Sequence, residues 1–208
     1  MMMKRLLLPF LAVAAFAGAA HAQAQDASTP DGLVKAVVGD VMATVRADKD
    51  MQAGNIGKIS ALVEQKILPN ADFQRTTQIA MGRNWSKASP EQQKQITDEF
   101  KTLLIRTYSG AIAQIRDQQV QFRPYRGAPD DTDATIRTQV INKGDPIQLD
   151  YRLEKTPQGW KVYDINVLGA WLTEAYKGSF NTIVGQQGVE GVVKTLQDRN
   201  RQLANAKN

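Results

Sequence analysis

The chain has no cysteine and one histidine, His21. Without cysteine there can be no disulfide, no thiolate nucleophile and no sulfur-ligated metal, so the fold rests on its core alone. His21 falls in an N-terminal segment that reads as removable, which also excludes histidine triads and imidazole metal sites from the mature protein. Charge of one sign is scarce too. The balance is +5 at pH 7 and falls by the two charges of Lys4 and Arg5 when that segment goes, far from the basic surplus of a nucleic-acid binder. After the leader, no apolar run approaches the roughly twenty residues needed to span a membrane.

What is present begins with that leader. Lys4 and Arg5 form a charged start, Leu6 to Ala20 a mostly apolar stretch, and Ala20-His21-Ala22 a small-x-small cleavage site. Residues 1–22 therefore read as a secretory signal peptide, with a competing cut after Ala24. The absence of cysteine rules out a lipobox. The expectation is an exported, soluble protein with one domain over residues 23–208.

That domain is organised around Pro146 to Trp171. Ile147, Leu149, Tyr151 and Leu153 alternate with Gln148, Asp150, Arg152 and Glu154, the period of a strand with one buried face. Thr156-Pro157-Gln158-Gly159 supplies a turn, and the chain returns as a Val/Ile/Tyr-rich strand from Trp160 to Leu168. Two further strands precede the hairpin: Val120 to Arg126, placed at an edge by Pro124, and Ala134 to Asn142.

Helix patterns occupy both ends of the chain. Thr29-Pro30-Asp31 opens a helix with apolar residues at Leu33, Val37, Val41 and Val45. Gly54-Asn55 opens a second, stopped by Pro69, and Asn70 can cap a third that Gly82 closes. Ser89-Pro90-Glu91-Gln92 is a capping box, and the stripe Ile96, Phe100, Leu103, Leu104, Tyr108, Ile112, Ile115 carries that helix to about Asp117, roughly 40 Å. After Trp171 come two more helical patterns, separated by Gly185 and Gly188. The fold class is α+β: a four-stranded antiparallel sheet from Val120 to Leu168, embraced by about six helices. A curved sheet with helices along one side can close on a filled core or leave an apolar cleft.

No constellation selects a chemistry. In Asp130-Asp131-Thr132-Asp133 an EF-hand count from Asp131 meets Ile136 where glycine belongs and no glutamate at position twelve, which leaves a solvated turn. Gly185, Gly188 and Gly191 follow a helix rather than a strand, so they fit neither a dinucleotide fingerprint nor a P-loop. Phe122, Arg123, Tyr125 and Arg126 interleave aromatics with arginines, but an outward-facing edge strand accounts for them. Asp164 beside Tyr163 could transfer a proton without histidine; nothing in the spacing selects that pair, and the expectation is no enzyme.

Two stretches carry a resemblance. Gly82-Arg83-Asn84-Trp85, Ser89-Pro90-Glu91-Gln92 and Phe100 to Tyr108 resemble a G-x-x-W…[ST]-P-E-Q…F-x-x-L-L-x-x-[TS]-Y segment. Gly159-Trp160-Lys161-Val162-Tyr163-Asp164-Ile165, then Gly169, Phe180 and Gly188 to Val192, are similar to a W-K-V-Y-D-[IV]…G…F…G-x-x-G-[LV] ending. Both belong to the MlaC family, the periplasmic component of the Mla lipid-transport system, also known as toluene-tolerance auxiliary proteins. Ala170-Trp171-Leu172 departs from it, since relatives often carry a small polar residue before an apolar pair. The resemblance implies a periplasmic phospholipid carrier without a cofactor. Its partners would be an outer-membrane lipoprotein–porin complex and an inner-membrane ABC transporter with an MCE-domain subunit, and its task the upkeep of outer-membrane lipid asymmetry.

If that holds, the acyl tails are expected between the concave sheet face and the long helix. The strands would contribute Val140, Leu149, Tyr151, Val162 and Ile165; the helix Leu104, Tyr108, Ile112 and Ile115. Trp171 and Phe180 are candidates for the rim, where an amphipathic ring suits a half-wet mouth. A protein-interaction module or chaperone with a closed core and no lipid is the alternative, and a small NTF2-like enzyme with a buried carboxylate the third reading.

Overall fold

The structure, a computed structural model, describes residues 26–206 apart from 129 and 143; the leader lies outside them. Helix α1 spans Pro30–Ala47, with the Thr29 hydroxyl accepting from the Gly32 N–H and Pro30 in the first turn, where its missing N–H costs nothing. After the single turn α2, Lys49–Gln52, Asn55 caps α3, Ile56–Leu62. The expected helix to Leu68 does not stay regular: it widens to a π turn over Val63–Ile67 and tightens to a 3-10 turn, Leu68–Asn70, that accommodates Pro69.

Helix α4, Phe73–Met81, is capped by Asp72, whose carboxylate accepts from the Arg75 N–H at 2.8 Å, rather than by Asn70. Asn70 instead donates back to the Lys66 carbonyl. Gly82 ends α4 at φ 54°, a conformation that glycine adopts without the Cβ penalty. Helix α5 is Pro90–Ala113, 24 residues, or about 36 Å, and both arms of the Ser89/Gln92 capping box are made. It stops short of Asp117, and just past its end the Arg116 guanidinium donates to the carbonyls of Ala113 and Ile115, each at 2.7 Å. The two expected C-terminal helices form one element, α6, Leu172–Asn205, broken at Gly188 by φ 68°, ψ −174°.

The sheet has six strands instead of four. They are β1 Gln119–Phe122, β2 Asp133–Ile136, β3 Thr138–Ile141, β4 Ile147–Thr156, β5 Gly159–Val167 and β6 Ala170–Trp171. All pairings are antiparallel, in the order β1-β3-β4-β5-β6, with β2 also on β4. Strands β2 and β3 are the expected Ala134–Asn142 run cut at Arg137. There the Thr138 N–H donates to the Asp150 carboxylate at 3.0 Å and its hydroxyl to the Leu149 carbonyl, so side chain and backbone of β4 hold the joint while β3 swings away to β1.

Strand β6 is an addition that a tight turn makes possible. Leu168 and Gly169 both have positive φ, 54° and 92°, as a type I′ hairpin turn requires. The Asn166 side chain accepts from the Gly169 N–H. Leucine at such a position is rare, and Leu168 is 72% exposed.

The alternation in β4 assigns the two faces of the sheet. Leu149, Tyr151 and Leu153, with Ile136, Trp160, Val162 and Ile165, meet Leu33 and Val34 of α1. Arg152 pairs across with Asp164, Asp150 with Asn166, and Asn166 with Trp171 on the opposite face. Helix α4 is fastened to β5 by hydrogen bonds from the Asp72 N–H to the Val162 carbonyl and from the Thr76 hydroxyl to the Tyr163 carbonyl, at 2.9 and 2.7 Å.

Candidate functional site

Apolar side chains of the described residues gather in three clusters. One lies among α4, α5 and α6, with Met81, Ile96, Phe100, Phe180, Val192 and Leu196 fully buried. A second lies between α1 and the inner sheet face. The third joins the far ends of α1 and α5 to α2 and α3 through Val45, Met51, Ile59, Leu62 and Ala113. Helices α1 and α5 therefore meet in the third cluster, then part: Leu33 and Val34 of α1 go to the sheet, Phe100 and Leu103 of α5 to the helical cluster. The margins of the clusters carry half-buried apolar residues, contributed by the sheet and by the helices.

Nine of the eleven residues expected around the tails lie within those clusters, at their margins or beside them. Leu149, Tyr151, Val162 and Ile165 share the sheet–α1 cluster. Val140 is half-buried beside them in β3, opposite Val120 and Ile147. Ile112 and Ile115 pack with Val41 at the margin of the third cluster. Leu104 borders the helical cluster. Tyr108 is half-buried there, and its phenol, like that of neighbouring Tyr176, is pushed up by burial. Burial raises Tyr151 furthest, and it hydrogen-bonds with Thr138. All three phenols are neutral at physiological pH, so they add surface to this lining without adding charge.

Trp171 and Phe180 stand apart from the other nine. Phe180 is 2% exposed and packs edge-on against Phe100, ring centroids 5.3 Å apart: a helical stripe shows which face is apolar, not which cluster takes it. Trp171 is on the outer sheet face with the Arg152 guanidinium 3.8 Å above its ring, because the Leu168–Gly169 turn folds β6 back to pair Trp171 with Asn166. Asp164 and Tyr163 form no proton-transfer pair either. The Asp164 carboxylate accepts from the Thr173 N–H and hydroxyl and from the Ile165 N–H, tying α6 to β5. Burial pushes its pKa up against those hydrogen bonds and Arg152. Tyr163 reaches Asp133 instead, at 3.4 Å.

Two concavities open on the surface. An outer groove of about 450 Å³ is lined by Arg123, Arg137, Arg152, Asp150 and Trp171. A cleft of about 400 Å³ lies between α1 and the edge strand β1, walled by Val38, Gly39 and Met42 on one side and Val120 and Phe122 on the other. The first-helix stripe pointed to α1 as core; that part of it flanks an opening was not legible from the period. Among the described residues no group of three or more acidic, cysteine or histidine side chains could hold a metal ion, and no helix is long and apolar enough to cross a membrane.

Comparison with known proteins supplies the context for this lining. The family model described as MlaC protein matches residues 35–198. A phospholipid-binding protein from Ralstonia solanacearum, solved in complex with a phospholipid, is 56% identical and superposes with a TM-score of 0.82, over 84% of this chain and 98% of that one. The toluene tolerance protein ttg2D of Pseudomonas putida is 24% identical over 183 residues, 87% of this chain and 84% of its own. The intermembrane phospholipid transport system binding protein MlaC of Haemophilus influenzae is 21% identical over 174 residues, 82% of this chain and 81% of its own.

Proposed function

The chain belongs to the MlaC family, and on that premise we propose that it is a non-enzymatic phospholipid carrier of the periplasm. The leader over residues 1–22 exports it. It shuttles lipid between an outer-membrane lipoprotein–porin complex and an inner-membrane ABC transporter with an MCE-domain subunit, and so maintains the lipid asymmetry of the outer membrane. The observation that carries the reading is the half-buried apolar lining shared by sheet and helices, in a fold whose 56% identical relative was solved with a phospholipid.

The physics favours such a lining. Each acyl CH₂ kept from water contributes about 0.8 kcal/mol, so a diacyl lipid crosses an aqueous space only inside an apolar sheath. The tails lie between the inner sheet face and α5, against Leu149, Tyr151, Val162 and Ile165 on one side and Leu104, Tyr108, Ile112 and Ile115 on the other, with Val140 beside the strands. Neutral phenols and aliphatic side chains hold a tail without reacting with it, so the task is carriage rather than catalysis.

The test is reconstitution. Delipidated protein is incubated with phosphatidylethanolamine vesicles, separated from them, and assayed for bound phosphorus. Stoichiometric uptake that resists washing is the expected result; protein recovered free of phosphorus would refute the reading.

A further inference from the structure

We infer that the cleft between α1 and β1 is the portal through which lipid tails pass into and out of the interior. The inference rests on the carrier reading and adds a route to it. Lys35, Val38, Gly39, Met42 and Arg46 all line this cleft, and their spacings of three, four and eleven place them on one stripe of α1. The stripe reads cation, apolar, glycine, apolar, cation. Opposite it stand Val120 and Phe122, the inward-facing residues of β1.

The floor of the cleft leads inward. Val38 and Phe122 are also margin residues of the sheet–α1 cluster that holds Leu149, Tyr151 and Ile165, so a tail sliding between α1 and β1 stays on apolar surface. The walls can part. Strand β1 is four residues long and lies at the end of the sheet order, where β3 is its one strand partner among the described residues. Arg46 fastens the end of α1 to the start of β1 through the carbonyls of Arg116 and Gln118, and the Lys35 ammonium sits 5.8 Å from the Phe122 ring centroid. Both contacts are exposed or half-exposed polar straps rather than core, which places this seam among the weaker ones of the molecule.

Charge at the mouth fits the occupant. Lys35 is matched by Asp31 at 2.7 Å. Arg46 reaches carbonyl oxygens but no carboxylate among the described residues, so its charge is left to meet the phosphodiester of a lipid whose tails point inward.

Gly39 marks the middle of the opening. A glycine inside a helix costs stability relative to alanine, and this one has no positive φ to justify it. A Cβ built on it meets nothing within 4 Å, so crowding does not require glycine there either. Its missing side chain keeps the cleft clear.

The experiment follows transfer of phosphatidylethanolamine with a fluorescent acyl chain from vesicles to delipidated mature protein, recording rate and final amount. The variants are Gly39→Trp, Gln119→Trp from the opposite wall, and Gly178→Trp, which is exposed and uncrowded on α6. Gly39→Trp and Gln119→Trp are each expected to slow loading and release at least about tenfold, with the final amount unchanged and Gly178→Trp matching wild type. Either cleft variant, folded by circular dichroism, loading at the wild-type rate would overturn the portal. So would equal slowing by Gly178→Trp, or a lowered final amount at an unchanged rate. If wild type takes up no lipid, the carrier reading itself fails and the portal falls with it.

Discussion

The helical cluster and the sheet–α1 layer are made of the same kinds of residue and differ in how they are filled. Among α4, α5 and α6, Met81, Ile96 and Phe100 are at 0% exposure, and Phe100 touches the rings of Phe73, Tyr176 and Phe180. In the sheet layer Ile136 and Leu153 are buried as deeply, yet Leu33, Ala134, Tyr151 and Trp160 keep 7–8% of their surface exposed, and both clusters carry half-buried apolar residues at their margins. A filled cluster stabilises the fold and leaves no room. A margin of half-exposed apolar surface forgoes roughly 25 cal/mol for each square ångström left in water, a cost that a bound tail removes. On the carrier reading proposed above, the helical half serves as scaffold and the seam between the halves is where a ligand gains.

Substitutions can separate the two. The largest effect is expected from Leu149→Asp or Tyr108→Glu. A carboxylate buried against acyl chains costs several kcal/mol, so lipid copurifying with either variant should fall below detection in phosphorus assays. Far-UV circular dichroism should stay near wild type. Undiminished lipid in both would remove that wall from the site. Phe100→Ala should do the reverse: a loss of about 3–5 kcal/mol in urea unfolding, with lipid still bound by whatever fraction remains folded.

Asp164→Asn sharpens the picture where sheet and helices are tied. The two backbone N–H donors keep an oxygen, the Thr173 hydroxyl turns to accept from the new amide NH₂, and Arg152 loses its charged partner, for a loss of about 1 kcal/mol near neutral pH. The pH dependence has a definite sign. Burial raises the folded-state pKa of Asp164 above its ordinary 3.8, so the folded protein holds this proton more tightly than the unfolded chain. The stability it contributes is full below 3.8 and is lost as pH rises to the raised value. The variant should lack that slope when urea midpoints are compared across the window. Smallest of all, Ser89→Ala removes one arm of the capping box of α5 and should cost about 1 kcal/mol, seen as a lower melting temperature with lipid content unchanged.

Much of this architecture could be read from residue patterns. The alternation from Ile147 to Leu153 identified the inner face of β4, the Ser89–Gln92 box located the start of α5, and the glycines near 188 located the break in α6. What escaped depends on contacts distant in sequence. The cut at Arg137 exists because Asp150, twelve residues from Thr138, takes its N–H. The outward turn of Trp171 follows from Leu168 adopting a positive φ that leucine rarely takes. Periodicity also reports only that a face is apolar, so it could not tell that Phe180 fills a core while Leu149 stays half-buried at a cluster margin.

The most direct test of the central claim, that the seam between sheet and helices holds phospholipid, is native mass spectrometry of protein taken from the periplasm without detergent. The account predicts a mass excess equal to whole phospholipid molecules, released by organic extraction and identified in the extract. A bare polypeptide mass from lipid-replete cells would contradict it.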